Sequence, residues 1–420
     1  MLRIEEAQTR ILAGIEPLAM EQVPLAQAWR RVLAEDLVAV RDQPPCHNSA
    51  MDGYAVRLAD VVGLQADVDG VVLRVQETLA AGAPPGRPLQ PGCAARIMTG
   101  AALPVGAELV VIRERAEPLE GGMKVRLRGA GPLGDNVRRA GEDIQCGARY
   151  LRAGRSLSAA DLGLAASQGR AELPCYRRPR VALLSTGDEV QALGVELEAG
   201  HIYSSGSYSL GALITEAGGE FVDLGIARDE PDAIRERVEA GRGADVVITI
   251  GGVSVGDFDH VRSVFAEMGA EEQFWKVAMR PGKPNACGRI FGALWFGLPG
   301  NPVSSAISFL QYVRPALRAM LGATDRFLPV VTATLEHPIR SREGFLFLLR
   351  AVLRFDGASD GFMVRTTGPQ GSGILSSLSL ANGLIVVPED CSSLDAGDRV
   401  RVQLLPSFLL SSLESDLRGP

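Results

Sequence analysis

RVALLSTG (180–187), SLGALITEAGG (209–219), EFVDLGIA (220–227), EPDAIRERVEAG (230–241), ADVVITIGG (244–252) and HVRSVFAEMG (260–269) follow one another in the middle of the chain. Near-continuous apolar runs alternate here with amphipathic helical segments, and strands that lack polar alternation need cover on both faces. The pattern predicts a doubly wound, mostly parallel sheet, and such sheets bind ligands at the carboxyl ends of their strands. LWFGLPG (294–300) and NPVSSAISFLQYVRPALRAMLG (301–322) extend it by a final strand and a long helix. We bound this α/β unit at 179–325.

Upstream, LPCYRRP (173–179) closes an N-terminal region, 1–178, with two prolines. Its first forty residues read as two amphipathic helices, one with Ile4, Ala7, Ile11 and Leu12 on a single face and a second starting at Pro24, a residue favoured in a first helical turn. From about 44 to 143 short runs such as GVVLRVQ, CAARIMTG and ELVVIRER, separated by glycine and proline turns, predict an inserted β-module. SLSAADLGLAASQG (156–169) then reads as a helix. Downstream, VVTATLEH, FLFLLRAVLRF, GFMVRTT, GLIVVPE and DRVRVQLLP predict a small β-barrel-like domain over 326–408, with a tail at 409–420.

A formal charge of -7 over 420 residues gives no broad attraction to nucleic acid or to an anionic membrane, so an anionic ligand must be held by a local site. Six scattered cysteines without a CxxC pair and four dispersed histidines argue against a zinc cluster or a disulfide framework. The N-terminus carries Glu5 and Glu6 where a secretory signal needs basic residues, and no stretch matches a membrane span, which predicts a cytoplasmic protein.

Several motifs carry chemistry. GAGPLG (129–134) matches GxGxxG, yet no βαβ unit surrounds it and it reads as a turn. GVSVG (252–256) matches the nucleophile elbow of serine hydrolases, but only His260 and His337 follow it and there is no HGGG-like oxyanion segment. The same loop also fits an anion cradle, with backbone N–H groups facing phosphate at a helix start. Asp257 and Asp259 behind it would then bridge a divalent cation to that phosphate, or simply cap the helix near His260. Asp188, Glu189 and Asp229 end strands on the same edge, as in a polar pocket. In FWKVAMRPGKPNACG (274–288), Lys276, Arg280 and Lys283 gather around a turn that can curl cations about one oxyanion or lie as a solvated loop. Lysine is otherwise almost absent from this chain, its only other instance being Lys124, which favours a point charge chosen for a purpose. Asp52 and Thr99, each before a glycine, read alone as turn formers.

Taken together, NSAMDGYAV (48–56), RIMTGA (96–101), RRAGEDI (138–144), STGDEV (185–190), GGVSVGDFD (251–259), KVAMRPGKP (276–284) and GLPGNPVS (297–304) resemble the MoeA family of molybdenum-inserting enzymes, in the same order over nearly the whole chain. The resemblance implies a reaction in which adenylylated molybdopterin and molybdate bind together, the dithiolene takes the metal, and the pyrophosphate bond is hydrolysed with release of AMP, assisted by Mg2+. It implies an acidic set at Asp52, Asp143, Glu189, Asp229 and Asp259, with Thr99 beside them and Asp229 and Asp259 as Mg2+ ligands. The molybdate pocket would fall on Arg280, Lys283, Pro284, Arg350 and Ser372, with Lys276 nearby and Pro299 and Pro302 shaping its floor. Gly251, Gly252, Ser254 and Gly256 would hold the pterin or its phosphate.

The resemblance also implies a homodimer in which the β-module reaches the partner's α/β unit. It further implies transient contact with the molybdopterin adenylyltransferase and with molybdoenzyme maturation proteins. Two departures stand out: relatives have lysine where this chain has Arg280, and an IYDSN-like segment where it reads IYSSG (202–206). A non-catalytic molybdopterin-binding scaffold and a hydrolase using Ser254 are the competing readings, and the chain lacks the long linker and fused second α/β domain expected of the scaffold.

Overall fold

The computed structural model describes residues 1–63, 70–252, 260–357 and 361–406. At its centre a six-stranded sheet runs in the order Glu220–Ala227, Arg180–Thr186, Val246–Ile250, Ala293–Leu298, Ala286–Ile290, Glu271–Trp275. The first four strands are parallel, and the last two, drawn from the cation-rich segment, run antiparallel at one edge. Successive residues serve opposite faces, as a pleated strand requires. Val181 and Leu183 pack with the helices Ser205–Glu216 and Pro302–Ser308, while Ala182 and Leu184 pack with Pro231–Ala240 and Val261–Glu267. Double cover is why these strands are apolar without interruption.

The long helix after the last strand carries Pro315, which has no N–H for the carbonyl of Gln311. A π-helical turn, Phe309–Val313, absorbs the defect, and the stranded Gln311 carbonyl accepts instead from the Gln8 side chain at 3.1 Å. The Gln311 amide in turn donates to Gln403 Oε1 at 2.6 Å. One irregular turn therefore anchors both the N-terminal helix Ile4–Leu12 and the C-terminal strand Arg399–Leu404.

The second N-terminal helix expected from Pro24 is not formed. Met20–Pro24 is a strand paired antiparallel with Glu172–Tyr176, and only a single 3-10 turn, Leu25–Gln27, follows it. Proline is as acceptable at a strand end as in a first helical turn, and distant backbone partners decide between them. The same pairing makes the first part of LPCYRRP, the segment that closes the N-terminal region, a strand up to Tyr176.

The β-module is a six-stranded sheet in the order Leu109–Ile112, Gly53–Val56, Cys93–Ile97, Val71–Leu79, Lys124–Leu127, Ala116–Leu119. Gly53 is required there, since a Cβ would strike the Val111 carbonyl. Two chain passes tie the module to the rest, bridged at Gln43 with Ile144 and at Asn48–Ser49 with Val137–Arg138. Near the C-terminus Leu346–Asp356, Gly361–Thr366, Val330–Leu335, Arg399–Leu404 and Gly383–Val387 close into a five-stranded barrel, to which Met279–Arg280 adds as a parallel strand.

Candidate functional site

Two cavities meet at the carboxyl ends of the parallel strands. The first, of about 320 Å³, is a cleft walled by Ser185 and Thr186 at the end of the strand Arg180–Thr186, Glu189 just beyond it, Ser204–Gly206 at the start of a helix, Asp229, and the glycines Gly251 and Gly252. Both glycines have left-handed backbone, with φ of 92° and 65°. A Cβ on Gly251 would lie 2.8 Å from the Thr186 carbonyl oxygen, and one on Gly252 would strike Val261. Only a backbone without side chains fits there, and the Gly251 N–H is itself held by the Leu298 carbonyl at 3.0 Å.

Glu189 and Asp229 share this cleft, and Asp188 Oδ1 accepts the Asp229 N–H at 3.1 Å. Two carboxylates from different strand ends suit Mg2+, which takes one or two carboxylates and completes its shell with water and substrate phosphate. Among the described residues no group of three or more metal-ligating side chains is present. Ser254, Gly256 and Asp259, the rest of the expected cradle and metal set, lie outside the described residues, as does Asp257.

The IYSSG departure has a defined structure. Ser207 Oγ donates to the Ser204 carbonyl at 2.9 Å, so the 2.8 Å contact between the two hydroxyls is a donation from Ser204, and Ser185 donates to Ser204 at 3.3 Å. Each hydroxyl proton is spent within this neutral chain.

The second cavity, of about 590 Å³, is lined by Arg280, Lys283, Pro284, Pro299, Asn301, Ser304, His337, Arg340, Arg350, Gln370 and Ser372. Arg350 lies fully buried at its wall. Its Nε donates to Ser377 Oγ at 3.0 Å and its Nη2 to the Gly371 carbonyl at 2.9 Å, while Nη1 has no protein partner. Burial pulls this guanidinium below its ordinary pKa, yet arginine keeps its charge in proteins. A buried cation with one unused donor calls for an anion. Gln370 holds the strand in place, accepting the Arg350 N–H and donating to the Arg350 carbonyl.

The two cavities share Pro284, Pro299 and Asn301. Pro302, expected on the floor of the cationic pocket, lines the cleft instead, because it opens the helix that points there. Lys276, expected near the pocket, does not line it. Its backbone is left-handed, φ 73°, which turns it out of the strand line and sets its ammonium 3.5 Å from the Trp275 ring centroid, off the wall of the pocket.

Asp52, Thr99 and Asp143 are not on either cavity wall of the same chain. Asp52 accepts the Thr99 N–H and hydroxyl, both at 2.7 Å, and these bonds, the backbone one foremost, hold its carboxyl below the usual range. Asp143 sits in the connection to the β-module, its N–H donating to the Gln43 carbonyl at 2.9 Å. The local pattern missed His337, Arg340 and Gln370, which no sequence spacing links to the cation cluster. His337 Nε2 contacts Thr366 Oγ1 at 3.0 Å, which places the one histidine downstream of the expected helix in the cationic pocket. A larger concavity of about 780 Å³, bounded by Trp29, Leu213, Glu216 and Leu310, is mostly apolar and gathers none of these residues.

Comparison with known proteins gives three family matches along the chain: the MoeA N-terminal region (domain I and II) at residues 2–169, a probable molybdopterin binding domain at 182–319, and the MoeA C-terminal region (domain IV) at 332–405. Molybdopterin molybdenumtransferase 2 of Mycobacterium tuberculosis is 38% identical over 411 residues, covering 96% of this chain and 99% of the relative. Molybdopterin molybdenumtransferase of Haemophilus influenzae is 34% identical over 413 residues, covering 96% and 98%. Among solved structures, a molybdopterin biosynthesis MoeA protein from Pyrococcus horikoshii superposes with a TM-score of 0.79 at 32% identity, covering 96% of this chain and 99% of the other.

Proposed function

The chain belongs to the MoeA family, and from that premise we infer that it is a molybdopterin molybdenumtransferase, an enzyme that inserts molybdenum into molybdopterin. The observation that carries the reading at the level of chemistry is the wall of Pro284, Pro299 and Asn301 shared between an acidic, glycine-lined cleft and a cationic pocket. One substrate bears phosphate and the other is a tetrahedral dianion, and the two reacting groups must meet.

In this reading the cationic pocket takes molybdate, with Arg280 and Lys283 at its exposed side and Arg350 offering its unused donor from the wall, Ser372 beside it. Adenylylated molybdopterin lies in the cleft, its phosphates against Gly251 and Gly252. Mg2+, held by Glu189 and Asp229 with Asp259, would neutralise charge on the pyrophosphate when bound. The protein residues exclude bulk water and hold the pyrophosphate next to the oxyanion, so that metal transfer to the dithiolene is coupled to hydrolysis and AMP release. Asp52, Thr99 and Asp143 complete the set from the β-module of a second copy, which makes the active unit a cytoplasmic homodimer. The adenylyltransferase that supplies the substrate and the proteins that load molybdoenzymes are its transient partners.

The test is AMP release from adenylylated molybdopterin by the purified protein in magnesium, with and without molybdate. The reading expects molybdate-dependent release that disappears in Glu189→Gln, Asp229→Asn and Asp259→Ala. Tight pterin binding without release at any molybdate concentration would make the protein a carrier.

A further inference from the structure

The exposed cations of the pocket face a problem that the buried Arg350 does not. Arg280 and Lys283 are close in sequence, carry like charge, and have long side chains with large rotamer entropy, so nothing in the loop itself keeps them together before an anion arrives. Phe345 supplies what the loop lacks. Its ring is only 9% exposed, and the Arg280 guanidinium carbon lies 4.7 Å and the Lys283 ammonium 6.0 Å from its centroid. Both distances fall within the range at which the negative face of an aromatic ring attracts a cation. The ring is brought there by backbone pairing: Met279 and Arg280 run parallel to Leu346 and Phe347, and the Leu346 N–H donates to the Ala278 carbonyl at 2.9 Å.

We propose that Phe345 is a positioning residue for the oxyanion, an aromatic platform shared by Arg280 and Lys283 that holds the two cations in place before the anion binds. This rests on the functional reading above and deepens it, because it names the group that preorganises the oxyanion pocket. The platform offsets part of the repulsion between the cations and part of the entropy of ordering them. Binding of the dianion then costs less reorganisation.

The experiment replaces Phe345 in the full chain by mono-, di- and trifluorinated phenylalanine, which keep the shape of the ring while weakening its negative face stepwise. Calorimetric titration with sodium molybdate reads the affinity, and steady-state AMP release reads the molybdate KM and kcat. Affinity is expected to fall with each fluorine, to be kept in Phe345→Tyr and Phe345→Trp, and to drop about tenfold in Phe345→Leu. The melting temperature of the fluorinated proteins and kcat at saturating molybdate should stay unchanged. A flat series with normal molybdate binding overturns the proposal and leaves the functional reading standing. No molybdate binding by the unsubstituted protein overturns both.

Discussion

Asp52 and Thr99 are locked together by two 2.7 Å hydrogen bonds from the threonine N–H and hydroxyl to one carboxylate oxygen, yet the pair sits in the β-module, off the walls of the cleft that holds Glu189 and Asp229 in the same chain. If the pair acts on the cleft of a second copy, inactive chains should complement each other. Mixing Asp52→Asn with Glu189→Gln protein under subunit exchange yields heterodimers with one doubly damaged and one intact site, and roughly a quarter of the unsubstituted AMP-release rate should return. A site completed within one chain predicts no recovery.

Arg350 should be the strongest determinant of oxyanion affinity. A charge-assisted hydrogen bond contributes about 1.5–3 kcal/mol, so Arg350→Met should raise the molybdate KM by roughly 10- to 100-fold. It also leaves Ser377 and the Gly371 carbonyl without their partner, and the melting temperature should fall. Arg350→Lys keeps the charge but cannot make both bonds in the same plane, and an intermediate KM is expected. An unchanged KM in Arg350→Met would remove this residue from the pocket's chemistry.

How much of this was legible beforehand depended on distance along the chain. The faces of Val181–Leu184 follow from a local alternation of burial, and the sheet with its carboxyl-end cleft follows from that. Pro24 misleads because its neighbours offer helix and strand equally, and the strand Glu172–Tyr176 that decides the matter arrives far later in the sequence. Arg280 and Lys283 stand out as a local cluster, whereas His337, Arg340 and Gln370 join them only when the barrel closes. Lys276 belongs to the cluster by spacing, and its ammonium lies over the Trp275 ring, a contact that spacing does not encode. Arg350 is pointed to by family resemblance alone, since nothing around FLFLLRAVLRF marks one arginine for full burial.

Stability should fall in acid through Asp245. Its carboxylate takes both Arg177 Nη groups at 2.7 and 2.6 Å and the Arg180 N–H at 2.8 Å. Burial alone would raise its pKa, but the arginine and the backbone donor outweigh it, and the net shift is downward. A depressed carboxyl contributes stability that is present above the ordinary carboxylate pKa and is lost as pH falls through the folded value. Asp245→Asn should therefore cost about 2 kcal/mol at pH 7, the figure kept modest because Arg177 is 37% exposed. The gap between the two proteins in urea unfolding should begin to narrow below about pH 4 and close only as pH falls through the lower, folded value. A gap that stays constant from pH 7 into acid would assign the loss to packing instead of charge.

Gly252 lines the cleft and not the cationic pocket. A Cβ there would meet Val261 at the start of the next helix, and the φ of 65° already disfavours any other residue by about 1 kcal/mol. Gly252→Ala must push the cleft wall outward or rotate the backbone at the proposed phosphate position. The cationic pocket does not include Gly252, and its shared residues Pro284, Pro299 and Asn301 come from other loops. The variant should bind molybdate with unchanged affinity by calorimetry while its KM for adenylylated molybdopterin rises at least tenfold. Equal losses for both substrates would mean that the shared wall couples the cavities, and the pterin would then be held across the wall and not within the cleft alone.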